Sequence, residues 1–205
     1  METITFQALG VAIFFAGSVR LGRMIRREKH RSDAVRLSRA SHLLFWVCLL
    51  APGVVGLFYP GVTSYDELLG IPSLPFRSVA LLAGSLLVIA GFLLVAISNQ
   101  ALVKLGRGTA AFLLTEQIVS EGIYKWTRNP MSLGFYMMCV GVGLAAGSTV
   151  VTLGALLIVI SVHVVNLRCF EERELEIRHG TAYLEYKKHT PFLFPGFGRN
   201  ATINT

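Results

Sequence analysis

Charge is scarce in this sequence and cysteine nearly absent. Only 15% of the residues are Asp, Glu, Lys or Arg, while 53% are hydrophobic. That balance excludes an ordinary soluble domain and leaves a polytopic membrane protein. The three cysteines, Cys48, Cys139 and Cys169, lie far apart in or beside apolar runs. This spacing excludes a disulfide framework and a metal-ligand pattern, so they read as small core residues and no metal is expected. No internal repeat or low-complexity tract interrupts the chain, which reads as a single membrane domain over 1–205. The first apolar run has no basic region before it and no small-residue cleavage site, so a retained span is expected rather than a signal peptide.

What the sequence does contain is apolar length. Runs at Ile4–Val19, His42–Tyr59, Ser78–Ile97, Met131–Ala146 and Ser148–Val165 approach the ~20 residues that cross a bilayer, the first and fourth being short. The expected fold is all-α: five transmembrane helices, with a C-terminal helical hairpin formed across Gly147 and an interfacial tail. Glycines at helical spacing, among them Gly134 and Gly141, allow close backbone approach. Eighteen of the nineteen basic residues fall in Arg20–Ser41, in the loop before Pro130 or after the fifth run, and only Arg77 lies on the other side. The positive-inside rule then places the amino terminus outside and the carboxyl terminus in the cytoplasm. The formal charge of +7 is therefore mostly topological, and nucleic acid is not an expected partner. The connector Pro60–Pro75, rich in Pro and Gly, is external, and the Asn200 sequon falls on the cytoplasmic side.

One stretch organises the rest: Gly122-Ile-Tyr124-Lys-Trp126-Thr-Arg128-Asn129-Pro130-Met-Ser132-Leu-Gly134. Proline fits a helix's first turn, where the amide hydrogens lack intrahelical partners anyway. A helix is expected to begin near Pro130, with Arg128 and Asn129 just before it. Its unpaired amides and partial positive charge suit a carboxylate or phosphate. Read from the residues alone, Arg128 is equally an interfacial arginine holding lipid headgroups.

The fifth run does not end in a loop but continues through Glu171, Glu172 and Glu174 to His179, before Gly180 offers a stop. From Ser148, at ~1.5 Å per residue, His163 lies about 22 Å along and Glu171 about 34 Å, so the glutamates emerge at the interface. His163, Asn166 and Phe170 share a face; the two polar residues serve either interhelical hydrogen bonds or a substrate. Thr181 can cap a short helix carrying Tyr183, Tyr186, Lys187 and Lys188, stopped by Pro191 and lying along the headgroup layer as a flap.

These elements, taken in order, resemble the isoprenylcysteine carboxyl methyltransferase and phospholipid methyltransferase family. The match runs through Gly108-Thr109, Ile118-Val119, Gly122, Tyr124, Arg128-Asn129-Pro130-Met131 and Gly134, then Glu171-Glu172, Leu175, Gly180, Tyr183, Tyr186 and Pro191. The resemblance covers about Gly106–Pro195. It implies an integral membrane enzyme that uses S-adenosylmethionine to methylate a lipophilic acceptor, prenyl, phospholipid or otherwise lipid-like, entering from the bilayer. On that basis 106–195 is the methyltransferase core, 1–105 supplies three N-terminal spans and 196–205 is a flexible tail. Arg128, Glu171 and Glu172 fall on catalytic motifs. Gly122, Tyr124, Arg128, Asn129, Pro130, Gly134, Glu171, Tyr183 and Tyr186 would hold the cofactor, and His163 and Asn166 the substrate. Asn129 stands where prenylcysteine enzymes carry histidine, and Ser132 where most members carry tyrosine.

The chemistry of the cofactor fits these residue types. Its carboxylate suits Arg128, its ammonium suits Glu171 or Glu172, and its adenine suits an aromatic wall from Trp126 or Tyr124. Two other readings stand beside this one. A nicotinamide-dependent membrane reductase of the sterol-reductase kind has similar spans, although the paired glutamates and Arg-Asn-Pro-Met favour the methyltransferase. A non-catalytic lipid-binding protein is supported only by Ser132.

Overall fold

The computed structural model describes residues 2–108 and 114–194, whose regular structure is all helical, with no strand among them. Thr109 of the family motif, the tail 196–205 and the Asn200 sequon lie outside the described residues. We number the helices α1 (Glu2–Ile25), α2 (Arg31–Gly61), α3 (Ser64–Leu69), α4 (Arg77–Gly106), α5 (Pro130–Ala146), α6 (Thr149–His179) and α7 (Thr181–His189). Four of them, α1, α2, α4 and α6, are long and apolar enough to cross a membrane, whereas the apolar α5 has only 17 residues. The backbone of α2 breaks at Tyr59, where the chain leaves helical geometry before Pro60.

Glycine decides which helices touch. Gly84 faces Gly141 and Ala145, and Gly91 faces Gly134, pairing α4 and α5 antiparallel. A Cβ on Gly134 would sit 2.6 Å from the Gly91 carbonyl oxygen and one on Gly84 2.3 Å from the Ala145 nitrogen, so side chains there would force the backbones apart. The hairpin of α5 and α6 uses a different glycine, Gly143, which packs on Thr152, and turns at Gly147 in the left-handed region (φ 72°). Gly134 and Gly141 thus serve the third apolar run rather than the hairpin.

The hairpin's turn is locked by a residue far away in sequence. Asp66, on α3 and only 2% exposed, accepts hydrogen bonds from Ser148 Oγ (3.0 Å), Thr149 N (3.0 Å) and Val150 N (2.8 Å). An anion here satisfies amides that the first turn of α6 leaves unpaired and complements the helix dipole. Ser148 adds the local cap, accepting from Val151 N. Asp66→Ala is expected to cost ~2 kcal/mol of stability, because it orphans buried donors as well as removing a cap. Thermal unfolding in detergent beside Glu67→Ala checks this, the latter being expected to change little.

At the opposite end, α1 and α2 close on α6. Ile25, Ala34 and Leu37 pack on Phe170, with Leu21 and Ile177 at the margin. Asn166 accepts from Ser41 Oγ at 3.2 Å. The first two apolar helices therefore clamp the helix that carries the glutamates.

Candidate active site

The segment before α5 folds as the proline requires. Gly122 adopts φ 58° to open a 3-10 turn, Gly122–Lys125, and a Cβ there would meet nothing within 4 Å, so conformation rather than space requires glycine. Pro130 is the first residue of α5 and Asn129 its cap position, although the Asn129 side chain makes no capping bond. Asn129 Nδ2 instead donates to the Phe192 carbonyl (2.9 Å), and Thr127 Oγ1 donates to the same oxygen (3.3 Å). Arg128 N donates to the Pro191 carbonyl at 2.9 Å. The arginine–proline segment thus pins the strap Thr190–Phe194 across the end of α5.

The Arg128 guanidinium, 9% exposed, is the hub of this region. Nη1 donates to the carbonyls of Lys187 (3.0 Å) and Thr190 (2.5 Å), and Nη2 pairs with Glu172 Oε1. Its Nε is buried with no hydrogen-bond partner among the described residues. Lys187 Nζ bridges Glu172 (2.8 Å) and Glu176 (3.1 Å), and Arg173 pairs with Glu176. Partial burial works against the Lys187 charge, but hydrogen bonds to the two carboxylates outweigh it and hold its pKa above the ordinary value.

Glu171 differs from its neighbours. Glu172, Glu174 and Glu176 each pair with a cation, whereas Glu171, half-buried, has no ion pair or hydrogen bond among the described residues. The α6 helix has a π turn at Leu167–Glu171, a distortion frequent at functional sites because it re-aims side chains. The Glu171 carboxylate is close enough to act on neighbouring phenols, Tyr124 and Tyr183 among them. Burial, then Tyr186 and Glu171, push the Tyr124 pKa up; burial, then Glu172 and more weakly Glu171, do the same to Tyr183. Tyr186 is raised by burial and donates its hydroxyl to the Tyr124 carbonyl (2.7 Å). All three phenols therefore stay protonated across the physiological range. Trp126 is 63% exposed, whereas Tyr124 is buried.

Beside this polar region lies an apolar groove of about 600 Å³ between α4, α5, α6 and the strap. Ile160, Val164 and Arg168 form one side at helical spacing; Leu133, Tyr136, Met137 and Val140 form the other. Phe192 closes the end, with the Arg168 guanidinium 4.7 Å from its ring centroid and that of Arg128 5.8 Å. This one aromatic ring sits where the groove meets the arginine–glutamate network.

The sequence-derived residues thus separate into three places. Arg128, Asn129, Pro130, Tyr124, Glu171, Glu172, Tyr183 and Tyr186 gather about the strap and α7. Gly134 lies at the α4–α5 contact. His163 and Asn166 line neither the groove nor the network. His163, 6% exposed, shares a 2.9 Å hydrogen bond with Tyr136 amid the rings of Phe14, Phe45 and Phe135, and Asn166 is taken by Ser41. Sequence reasoning missed the groove stripe Ile160–Val164–Arg168, whose apolar members look like any lipid-facing pair. It also missed the strap carbonyls, which no side chain announces. Thr181 opens α7 without a side-chain cap, Gly180 holding the cap position.

Helices of membrane-crossing length, with an apolar groove beside a buried polar network, define the class: an all-helical membrane protein. The model of the phospholipid methyltransferase family matches residues 79–181, about half of the chain. The chain belongs to that family, an integral membrane methyltransferase family acting on lipid-like substrates. No curated protein and no solved structure matches it.

Proposed function

We propose that this protein transfers the methyl group of S-adenosylmethionine to a lipophilic acceptor at the cytoplasmic face of the membrane, with 106–195 as the catalytic core. The observation that carries the reading is a buried donor without a partner, Arg128 Nε, and a carboxylate without an ion pair, Glu171, on segments that gather about the strap and α7 beside an apolar groove. A molecule with one carboxylate and one ammonium answers both, and S-adenosylmethionine is such a molecule. When bound it supplies a methyl group on a sulfonium. The chain's own part is alignment and exclusion of water. Arg128 Nε and the first turn of α5 receive the carboxylate, Glu171 receives the ammonium, and Tyr124, Tyr183 and Tyr186 form an aromatic wall. Glu172 is spent on Arg128 and Lys187 and holds the site together. The groove takes the acceptor's apolar chain, and Phe192 sets the depth at which its head stops.

Isothermal titration of the purified full-length protein with S-adenosylmethionine and with NADPH tests this. Binding of the former alone is expected. Binding of NADPH alone would turn the assignment to a reductase, and binding of neither to a non-catalytic lipid-binding protein.

A further inference from the structure

Six of the chain's seven net positive charges lie between Arg20 and Arg39, where eight basic side chains face only Glu28 and Asp33. In the carboxyl half, basic and acidic side chains largely neutralise one another: Arg107 with Glu116, Arg128 and Lys187 with Glu172, Arg173 with Glu176, Arg178 with Glu174, and Lys188 with Glu185. Between Arg20 and Arg39 there is one bridge among the described residues, Arg36 to Asp33, at 3.8 Å and exposed. All eight basic side chains are exposed. They have no inward alternative, because the opposite faces of α1 and α2 are filled by Leu21, Ile25, Ala34 and Leu37 closing on Phe170.

We propose that this collar is a binding surface for the anionic phospholipid headgroups of the leaflet in which it lies. Three observations point there. Orienting a chain requires an excess of basic residues, but does not require that excess to stand unneutralised in one segment. Seven of the eight are arginine, whereas orientation is indifferent to Arg or Lys; the guanidinium fork matches phosphate oxygens two at a time. The third observation is depth, which favours lipid over a soluble polyanion. Arg20, Arg23 and Arg27 leave the end of α1 beside Met24, itself 41% exposed, and Arg39 precedes Leu43, 63% exposed, on α2. Apolar stems against acyl chains with charged ends at phosphate level is the arrangement that a headgroup layer selects. Because the inner face of the collar packs on Phe170, next to Glu171, bound anionic lipid should also steady the helix carrying the site.

The experiment uses the full-length protein in nanodiscs of phosphatidylcholine with a minor share of phosphatidylglycerol, the lipid retained by the released protein being counted by native mass spectrometry. Phosphatidylglycerol is expected to be enriched at least ~fivefold over its share of the bilayer, and the enrichment to collapse at high salt. A variant with Arg20, Arg23, Arg27 and Arg39 replaced by Gln should lose it, while the four Arg→Lys changes should keep a part. Cysteines placed at Ser73 and Lys29 in a cysteine-free background, labelled from one side, check that the variants insert like the parent. No enrichment in the parent, or enrichment unchanged in the glutamine variant, would overturn the proposal. Tight heparin binding without lipid enrichment would assign the collar to a soluble polyanion instead. Should the glutamine variant fail to insert, the parent's enrichment and its salt dependence decide alone.

Discussion

Arg128→Ala is expected to weaken S-adenosylmethionine binding by ~2–3 kcal/mol, roughly 30- to 150-fold in Kd. The loss has two sources. The variant removes the buried, unpartnered Nε, and it releases Glu172, Lys187 and the strap from the hub that holds them. Arg128→Lys should recover only part, since an ammonium cannot donate to two carbonyls and a carboxylate from one plane. The adjacent carboxylates should then behave differently from each other. Glu171→Gln removes a free acceptor of positive charge and should lower cofactor affinity while leaving thermal stability near that of the parent. Glu172→Gln breaks pairs to Arg128 and Lys187 and should lower stability first, with affinity following. Titration calorimetry with thermal unfolding separates the two effects, and unchanged affinity in all four variants would remove these residues from the cofactor site.

That division between Glu171 and Glu172 was not legible in the sequence. Adjacent helical residues differ by about 100°, so one was expected to face a pocket and the other not. Which one depends on a π turn and on where Arg128 finds its partners, and both follow from tertiary packing. The sequence did mark the helix start at Pro130, the continuation of α6 to His179, the stop at Gly180 and the short helix after it, because proline, glycine and hydrophobic length act locally. It also marked Gly134 and Gly141 as contact residues, but not their partner, since a small residue says only that something approaches. His163 and Asn166 show the same limit. Polar residues inside an apolar helix must face inward, and they do, yet facing Tyr136 and Ser41 is as good a solution as facing a substrate.

The acceptor's chemistry should show in the pH dependence of turnover. A carboxyl group, with a reference pKa of about 3.5, is already a nucleophile at neutral pH, whereas an alkyl ammonium near ~10 must first lose a proton. The site offers few bases to take it. Glu172 is committed to two cations, Asn129 is an amide that does not titrate in this range, and His163 is held behind Tyr136 away from the groove. Among the described residues of the site Glu171 alone is free, and in the proposed reading the cofactor's ammonium also needs it. With saturating cofactor, methylation of a phosphatidylethanolamine probe is therefore expected to climb by up to ~tenfold per unit between about pH 6 and 9, and to fall steeply at neutral pH in Glu171→Gln. Methylation of a prenylcysteine probe should stay flat over the same range, with Glu171→Gln raising only the KM for the cofactor. The profile of whichever probe turns over thus identifies the nucleophile and says whether Glu171 acts on the acceptor as well as on the cofactor. A rise with the amine probe that survives Glu171→Gln would mean that its proton leaves by a route other than Glu171, and no turnover of either probe despite cofactor binding would place the acceptor outside both classes.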